Sequence, residues 1–236
     1  MNPNPQVGEA EFDRYAEYYD QALNEGLAAS GEEKDYFARK RVAWLAECLR
    51  KRSAPHRQVM DYGCGTGQTS PHLVEILAAE KVVGVDVSEG LLGVARRNHG
   101  AVRIVFLSVS RRAPVGDMDV VYCNGVFHHI PPSERAPALV YIARALRPRG
   151  LFAFWENNPW NPGTRYVMRR IPFDKDAITL NAWHAQRLLR AAGFEVLRTD
   201  FLFIFPRTLQ WLRPIEPALS KLPLGGQYQI LCRLSA

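Results

Sequence analysis

At 236 residues, with 47% hydrophobic and 23% charged residues, the chain has the size and balance of one large folded domain. No apolar run reaches the about eighteen residues that cross a bilayer. Four scattered cysteines (Cys48, Cys64, Cys123, Cys232), with no CxxC pair or Cys/His cluster, argue against a disulfide framework or a zinc site. The net charge of +6 raises nucleic acid or an anionic membrane as partners, but the arginines are dispersed as on solvated helix faces.

Residues 1–10 are rich in Pro and Asn and read as a disordered N-terminus. They have neither the basic start nor the apolar core of a signal peptide, so the expected location is a reducing cytoplasm. Residues 11–236 read as a single domain that begins with a helical cap over 11–54. Phe12, Tyr15, Tyr18, Tyr19 and Leu23 recur there at helical spacing, followed by Tyr36, Phe37, Val42, Leu45 and Leu49.

After Pro55 strands and helices alternate. Strands are predicted over 58–62, 81–86, 102–109, 119–124 and 151–156, and helices over 70–79, 90–98 and 132–146. The last helix is ended by Arg147, Pro148, Arg149 and Gly150. This alternation predicts an α/β fold, a doubly wound and mostly parallel sheet with helices on both faces. The tail departs from it. Segment 157–181 is irregular and carries three prolines, a helix covers 182–192, and strands over 194–205 and 227–234 flank a Pro-punctuated stretch, 206–226. Two successive strands joined by an excursion predict an antiparallel pair at one sheet edge.

The first strand ends in Asp61-Tyr62-Gly63-Cys64-Gly65-Thr66-Gly67. Glycines without Cβ atoms let backbone approach a ligand, and the carboxyl end of a parallel strand is where ligands bind. The spacing is G-x-G-x-G, whereas a dinucleotide turn has G-x-G-x-x-G. Asp61 is a poor neighbour for a pyrophosphate and a good one for ammonium and sulfonium charge. Asp86, which closes the second strand about twenty residues on, is placed to accept from ribose hydroxyls. Spacing and Asp61 together exclude a nicotinamide oxidoreductase.

Here the chain resembles the class I S-adenosylmethionine-dependent methyltransferases, which are Rossmann-like. The resemblance is carried by the glycine turn, by Val82-Val83-Gly84-Val85-Asp86, by Asp119-Val120-Val121-Tyr122-Cys123-Asn124 and by Leu146-Arg147-Pro148-Arg149-Gly150. It implies a seven-stranded sheet whose last strand is antiparallel. It also implies S-adenosylmethionine as cofactor, S-adenosylhomocysteine as product, and no metal. Asp61, Gly63, Cys64 and Gly65 would lie along the methionine part, Asp86 and Val87 at the ribose, and Leu91 near the adenine. Relatives often carry an Asp after strand three. This chain has Ser108, Val109 and Ser110 there, so a hydroxyl or backbone would serve the adenine instead. Asn124 and Gly125 would floor the sulfonium, and Tyr15 or Tyr19 would close over the cofactor. The other reading of those tyrosines is helix packing.

The acceptor is less marked. His128 and His129 follow strand four, where either suits a general base toward a hydroxyl; they also suit a turn cap and packing. The run Asn124-Gly125-Val126-Phe127 lacks the Asn-Pro-Pro-Tyr of enzymes that methylate base amino groups, so nucleic acid is not an expected partner. Glu156 ends strand five as an acidic candidate, or as a partner for an arginine. Trp160, Arg165, Tyr166, Arg169 and Arg170 follow it in 157–181, which with 206–226 is read as lid, and they suit a planar or anionic molecule. The apolar run 201–205 with Trp211, Arg207 and Arg213 suits lipid contact, but reads better as a buried strand and pocket cover. The expectation is methyl transfer to a small-molecule acceptor, to oxygen before nitrogen. A lipid-linked or quinone-like acceptor, or a non-catalytic cofactor-binding protein, is the alternative. No residue pattern speaks for an oligomeric state.

Overall fold

Side chains of the central strands alternate between two apolar layers, so the sheet is buried on both faces. In β1 (Gln58–Tyr62), Met60 and Tyr62 enter one core and Val59 the other. The computed structural model describes residues 12–235. The disorder expected over 1–10 lies outside the described residues.

In chain order, α1 (Tyr19–Leu27) and α2 (Lys34–Arg50) precede β1. They are followed by α3 (Thr69–Glu75), β2 (Lys81–Asp86), α4 (Glu89–His99), β3 (Ile104–Ser108) and β4 (Met118–Asn124). Then come α5 (Arg135–Ala145), β5 (Leu146–Asn157), α6 (Pro162–Met168), α7 (Ala182–Ala191), β6 (Phe194–Leu202), α8 (Glu216–Leu219) and β7 (Gln227–Leu234). The seven strands lie in the order β3-β2-β1-β4-β5-β7-β6. β7 runs antiparallel to both of its neighbours and the other pairs are parallel, as the sequence predicts. Leu139 and Ile142 of α5 and Ala185 and Leu189 of α7 pack on one face against Phe152 and Phe154. On the other face Val42, Leu45 and Leu49 of α2, Leu73 of α3 and Leu92 of α4 pack against Tyr122 and Trp155.

Several boundaries move, each for a local reason. The helix expected from 132 starts at Arg135, because the Glu134 N–H closes a turn onto the Pro131 carbonyl (2.8 Å). The strand expected from 151 begins at Leu146, which already pairs with Met118 across an irregular register. The long strand over 194–205 stops at Leu202, since Phe203 takes a positive φ of 64° and leaves the ladder. Beyond it, 206–226 forms a 3₁₀ segment, Arg207–Ile215, and α8. No helix among the described residues is long and apolar enough to cross a membrane.

Strand order reverses between β1 and β4, and the carboxyl ends of those strands open the crevice where this topology binds ligands. At the opposite edge the buried Asp119 ties three strands together. Its Oδ2 accepts from the Gln58 N–H (2.8 Å) and its Oδ1 from Arg147 Nη1 (2.6 Å). Removing a buried charged acceptor leaves both donors unpaired. Asp119→Ala should therefore lose roughly 2–3 kcal/mol of stability in urea unfolding.

Candidate functional site

β1 leads into the turn 63–67, whose three glycines all have positive φ. The turn is pinned to β2 by the N–H groups of Gly63 and Cys64, which both donate to the Val85 carbonyl (2.7 and 3.1 Å). Asp86 then joins the two loops of the crevice. Its Oδ2 accepts from the Gly65 N–H (2.8 Å) and its Oδ1 from the Ser88 N–H (3.0 Å). Burial raises its carboxyl pKa, opposed by those backbone donors. Ser88 caps α4 by accepting from the Leu91 N–H (3.1 Å). Asp61 lies deeper and accepts from Ser70 Oγ (2.8 Å), and burial lifts its pKa to about 7.

The glycines have different uses. A Cβ at Gly67 would stand 2.6 Å from Phe106 Cζ and 2.9 Å from Ala95 Cβ, so that residue serves the packing of α4. At Gly65 the nearest atom is Tyr19 Cε1 at 3.8 Å, which leaves ligand space. The Cys64 thiol is buried in the core, so only its backbone faces the crevice, and burial raises its pKa well above normal.

The N-terminal cap is fastened to this turn. Thr66 Oγ1 donates to Asp20 Oδ1 (2.8 Å) and accepts from Lys34 Nζ (3.1 Å), while Lys34 and Asp20 form an ion pair. Asp13 Oδ1 accepts from Ser88 Oγ (2.5 Å) and from the Gly90 N–H (3.0 Å). Leu91 packs under Ala16, Phe12 and Tyr19. Tyr19 stacks on Phe173 (centroids 4.7 Å, 13° between planes), and Tyr15 meets the same ring edge-on (5.5 Å). Cap and the 157–181 segment therefore close over the crevice through Phe173.

After β4, Glu156 organises the turn that carries the histidines. It is 1% exposed. Its Oε1 accepts from the N–H groups of Phe127 (2.8 Å) and His128 (3.3 Å), and its Oε2 from His128 Nδ1 (2.6 Å) and the Asn157 N–H (3.3 Å). Asp174 stands on the other side, 3.6 Å from His128 Nε2 and 3.3 Å from His129 Nε2. Burial pulls the His128 pKa down, but Glu156 and Asp174 outweigh it and raise it to about 10. Burial and then the His128 charge lower that of His129. Burial acts against the Asp174 carboxylate, but the two histidines hold its pKa down at about 2. His128 is thus an imidazolium at neutral pH and His129 a neutral imidazole. Ligand-type atoms of His128, His129 and Asp174 all lie within 4.8 Å of one another, and this charge pattern accounts for the cluster.

Beside these groups lies a cavity of about 390 Å³. Tyr19, Asn124, Gly125, His128, His129 and Tyr166 line it, as do Lys34, Arg41, Phe173, Asp174 and Gln227, which sequence reasoning missed. Tyr15, Trp160, Arg165 and Arg169 do not line it. Trp160 packs instead on the exposed Trp183 (4.9 Å), and Arg165 and Arg169 face solvent. Glu156 lies behind His128 rather than on the cavity wall. Val87 is half-buried next to Asp86, Ser108 bonds Ser110 (2.9 Å), and the Val109 N–H donates to the Asp86 carbonyl (3.0 Å). For Arg41 a signal existed: an arginine between Ala38, Val42 and Leu45 on the buried face of α2. Asp174 carried none.

Residues 59–150, which hold the glycine turn, Asp86 and the β4 end, match the family model described as a methyltransferase domain. The chain carries an S-adenosylmethionine-dependent methyltransferase domain. It is similar to a trans-aconitate 2-methyltransferase of Methylobacterium nodulans, 29% identical over 224 residues that cover 85% of this chain and 84% of the relative. A SAM-dependent methyltransferase from Thermotoga maritima shares its fold, with a TM-score of 0.65 and 18% identity over 96% of this chain and 99% of that one. So does the [4+2]-cyclase SpnF, with a TM-score of 0.64 and 19% identity over 100% and 98%. The crevice of this methyltransferase fits its cofactor. Asp61 and Asp86 suit a cationic ligand, Gly65 leaves approach space, and the buried Asn124 Oδ1 has no hydrogen-bond partner.

The His128 shift has a pH consequence. Its pKa is about 10 in the fold against about 6.5 unfolded, so its stabilisation is complete below about pH 6.5 and is lost as pH rises through about 10. Glu156→Gln breaks the shorter half of this buried arrangement. It should cost roughly 3–5 kcal/mol near pH 6, and measurably less near pH 10, in urea unfolding at the two pH values.

Proposed function

We propose that this methyltransferase moves a methyl group to a carboxylate oxygen of a small acceptor held in the cavity. The observation that carries this is the state of the base candidates. His128 is already protonated at neutral pH and Glu156 is committed to four hydrogen-bond donors, so neither is available to take a proton. His129 is neutral, but burial and the His128 charge lower its pKa and its Nε2 faces Asp174 (3.3 Å), which makes it a weakened base. Hydroxyl and ammonium acceptors must lose a proton, whereas a carboxylate is ionised near neutrality and attacks as it stands. The name of the Methylobacterium nodulans relative, a trans-aconitate 2-methyltransferase, supports the same acceptor class. The cavity volume suits a small molecule.

When bound, S-adenosylmethionine supplies an electrophilic methyl group on a sulfonium. Asp86 and Val87 would hold its ribose, and the backbone of Gly63, Cys64 and Gly65 its methionine part. Leu91, Ser108 and Val109 would flank the adenine. Asn124, whose buried Oδ1 has no partner, would with Gly125 form the floor. Tyr19 closes the site, stacked on Phe173, and excludes water. His128 holds the floor loop in place through Glu156. The protein's work is alignment rather than proton removal. A second reading, a lipid-linked or quinone-like acceptor, is favoured by Phe37, Phe203 and Phe205 on the cavity wall.

Methyl label transferred to a carboxylate is an ester, which mild alkali releases as volatile methanol. Incubation with labelled cofactor and either trans-aconitate or fractionated cell extract should give base-volatile counts. Label that survives alkali as an ether or N-methyl product would overturn the reading. Separately, Asp86→Ala should weaken calorimetric binding of S-adenosylhomocysteine by roughly tenfold or more, the value of one charged hydrogen bond.

A further inference from the structure

Besides the histidines, three cations line the cavity: Lys34, Arg41 and Arg213. Lys34 is paired with Asp20 and touches the glycine turn through Thr66. Arg213 is paired with Glu32 (2.9 Å), donates to the Phe205 carbonyl (3.2 Å) and lies over the Tyr36 ring. Arg41 is different. It is 7% exposed, yet its partners are neutral: Nε donates to Tyr122 Oη (2.9 Å) and Nη1 to Gln227 Oε1 (2.9 Å). No carboxylate accepts a hydrogen bond from it among the described residues. Asp61 is near enough to feel its charge, but the Asp61 hydrogen bond goes to Ser70.

A guanidinium carries five N–H donors, and burying it without an opposing carboxylate is costly. Here a phenol and an amide hold its plane without neutralising it, and Gln227 is itself fixed by Asn157 Oδ1 (3.0 Å). A buried, oriented, unneutralised fork that lines a cavity is the arrangement a carboxylate recognises through two parallel hydrogen bonds. Its place spans the two halves of the site. Tyr122 of β4 stands opposite Asp61 of β1, beside the glycine turn, whereas Gln227 opens β7 beyond β5, so the fork reaches from the cofactor side toward the β7 end of the cavity.

We infer that Arg41, oriented by Tyr122 and Gln227, binds a carboxylate of the acceptor and makes the site selective for anionic acceptors. The inference rests on a small molecule binding in the cavity, as proposed above, but not on which atom is methylated. Arg165 and Arg169, the arginines that sequence reasoning favours for this role, lie outside the cavity.

The test is calorimetric titration of the full chain, saturated with S-adenosylhomocysteine, with trans-aconitate, benzoate and glucuronate. Each acid is compared with its uncharged methyl ester. Wild type should bind at least one acid and not its ester. Arg41→Lys keeps the charge without the fork. Gln227→Glu keeps the arginine but gives it an internal carboxylate, and it decides the matter if the lysine variant fails to fold. Both should weaken acid binding roughly thirtyfold or more, with S-adenosylhomocysteine affinity unchanged. Wild type that binds no acid, or binds ester equally, overturns the inference, as do variants that bind acid like wild type. Variants that lose S-adenosylhomocysteine affinity instead overturn it too, since Arg41 would then hold the cofactor's own carboxylate. Methyl transfer is not read, so failure of the ester reading leaves this result standing.

Discussion

Three carboxylates, Asp61, Asp86 and Glu156, are buried near the carboxyl ends of strands that flank one crevice, and each must be compensated where it stands. The solutions differ. Asp61 has a single hydroxyl donor and a raised pKa. Asp86 has two backbone N–H donors. Glu156 has three N–H donors and an imidazolium. The least compensated pair therefore sits beside the glycine turn, and the most compensated one supports the loop after β4. That gradient leaves the less compensated negative charge on the β1–β2 side, while Arg41, bonded to Tyr122 opposite Asp61 and to Gln227 of β7, brings a positive charge to the β4–β7 side.

The same constraint shapes the cover. The cap reaches the turn through polar bonds to Thr66 and Ser88, whereas it reaches the 157–181 segment through aromatic contacts on Phe173. The segment is in turn fastened to the histidine turn by the Ile178 N–H, which donates to the His128 carbonyl (2.8 Å), and by Arg135, which donates to the Ile178 carbonyl (2.8 Å). The glycine turn, the histidine turn and the 157–181 segment thus share a few residues rather than forming separate modules.

The features legible in the sequence are those whose cause is local. Alternating apolar runs and glycine spacing revealed the sheet, its antiparallel pair and the turn, because strand burial and positive φ leave marks within a few residues. The remainder depends on contacts between distant segments. Arg41 meets Gln227 across 186 residues, and Asp174 meets His128 only because 157–181 folds back. Arg165 and Arg169 look like ligand residues by composition, yet the short helix α6 turns them to solvent. Charge content alone does not distinguish a binding arginine from a solvating one. Position on a buried helix face does separate them, and it sets the buried Arg41 apart from the exposed Arg165 and Arg169.

The histidine arrangement also divides its labour unequally. His128 lies 2.6 Å from Glu156, a residue of the sheet, but 3.6 Å from Asp174, a residue of the lid segment. Charge-assisted hydrogen bonds weaken steeply over that ångström. Displacing the residues around Asp174 would break the longer side-chain contacts and leave the imidazolium paired with Glu156, so the His128 side chain keeps its anchor in the sheet. A floor loop whose imidazolium is anchored in the sheet suits an enzyme that must exchange two ligands each turnover while keeping its alignment groups fixed.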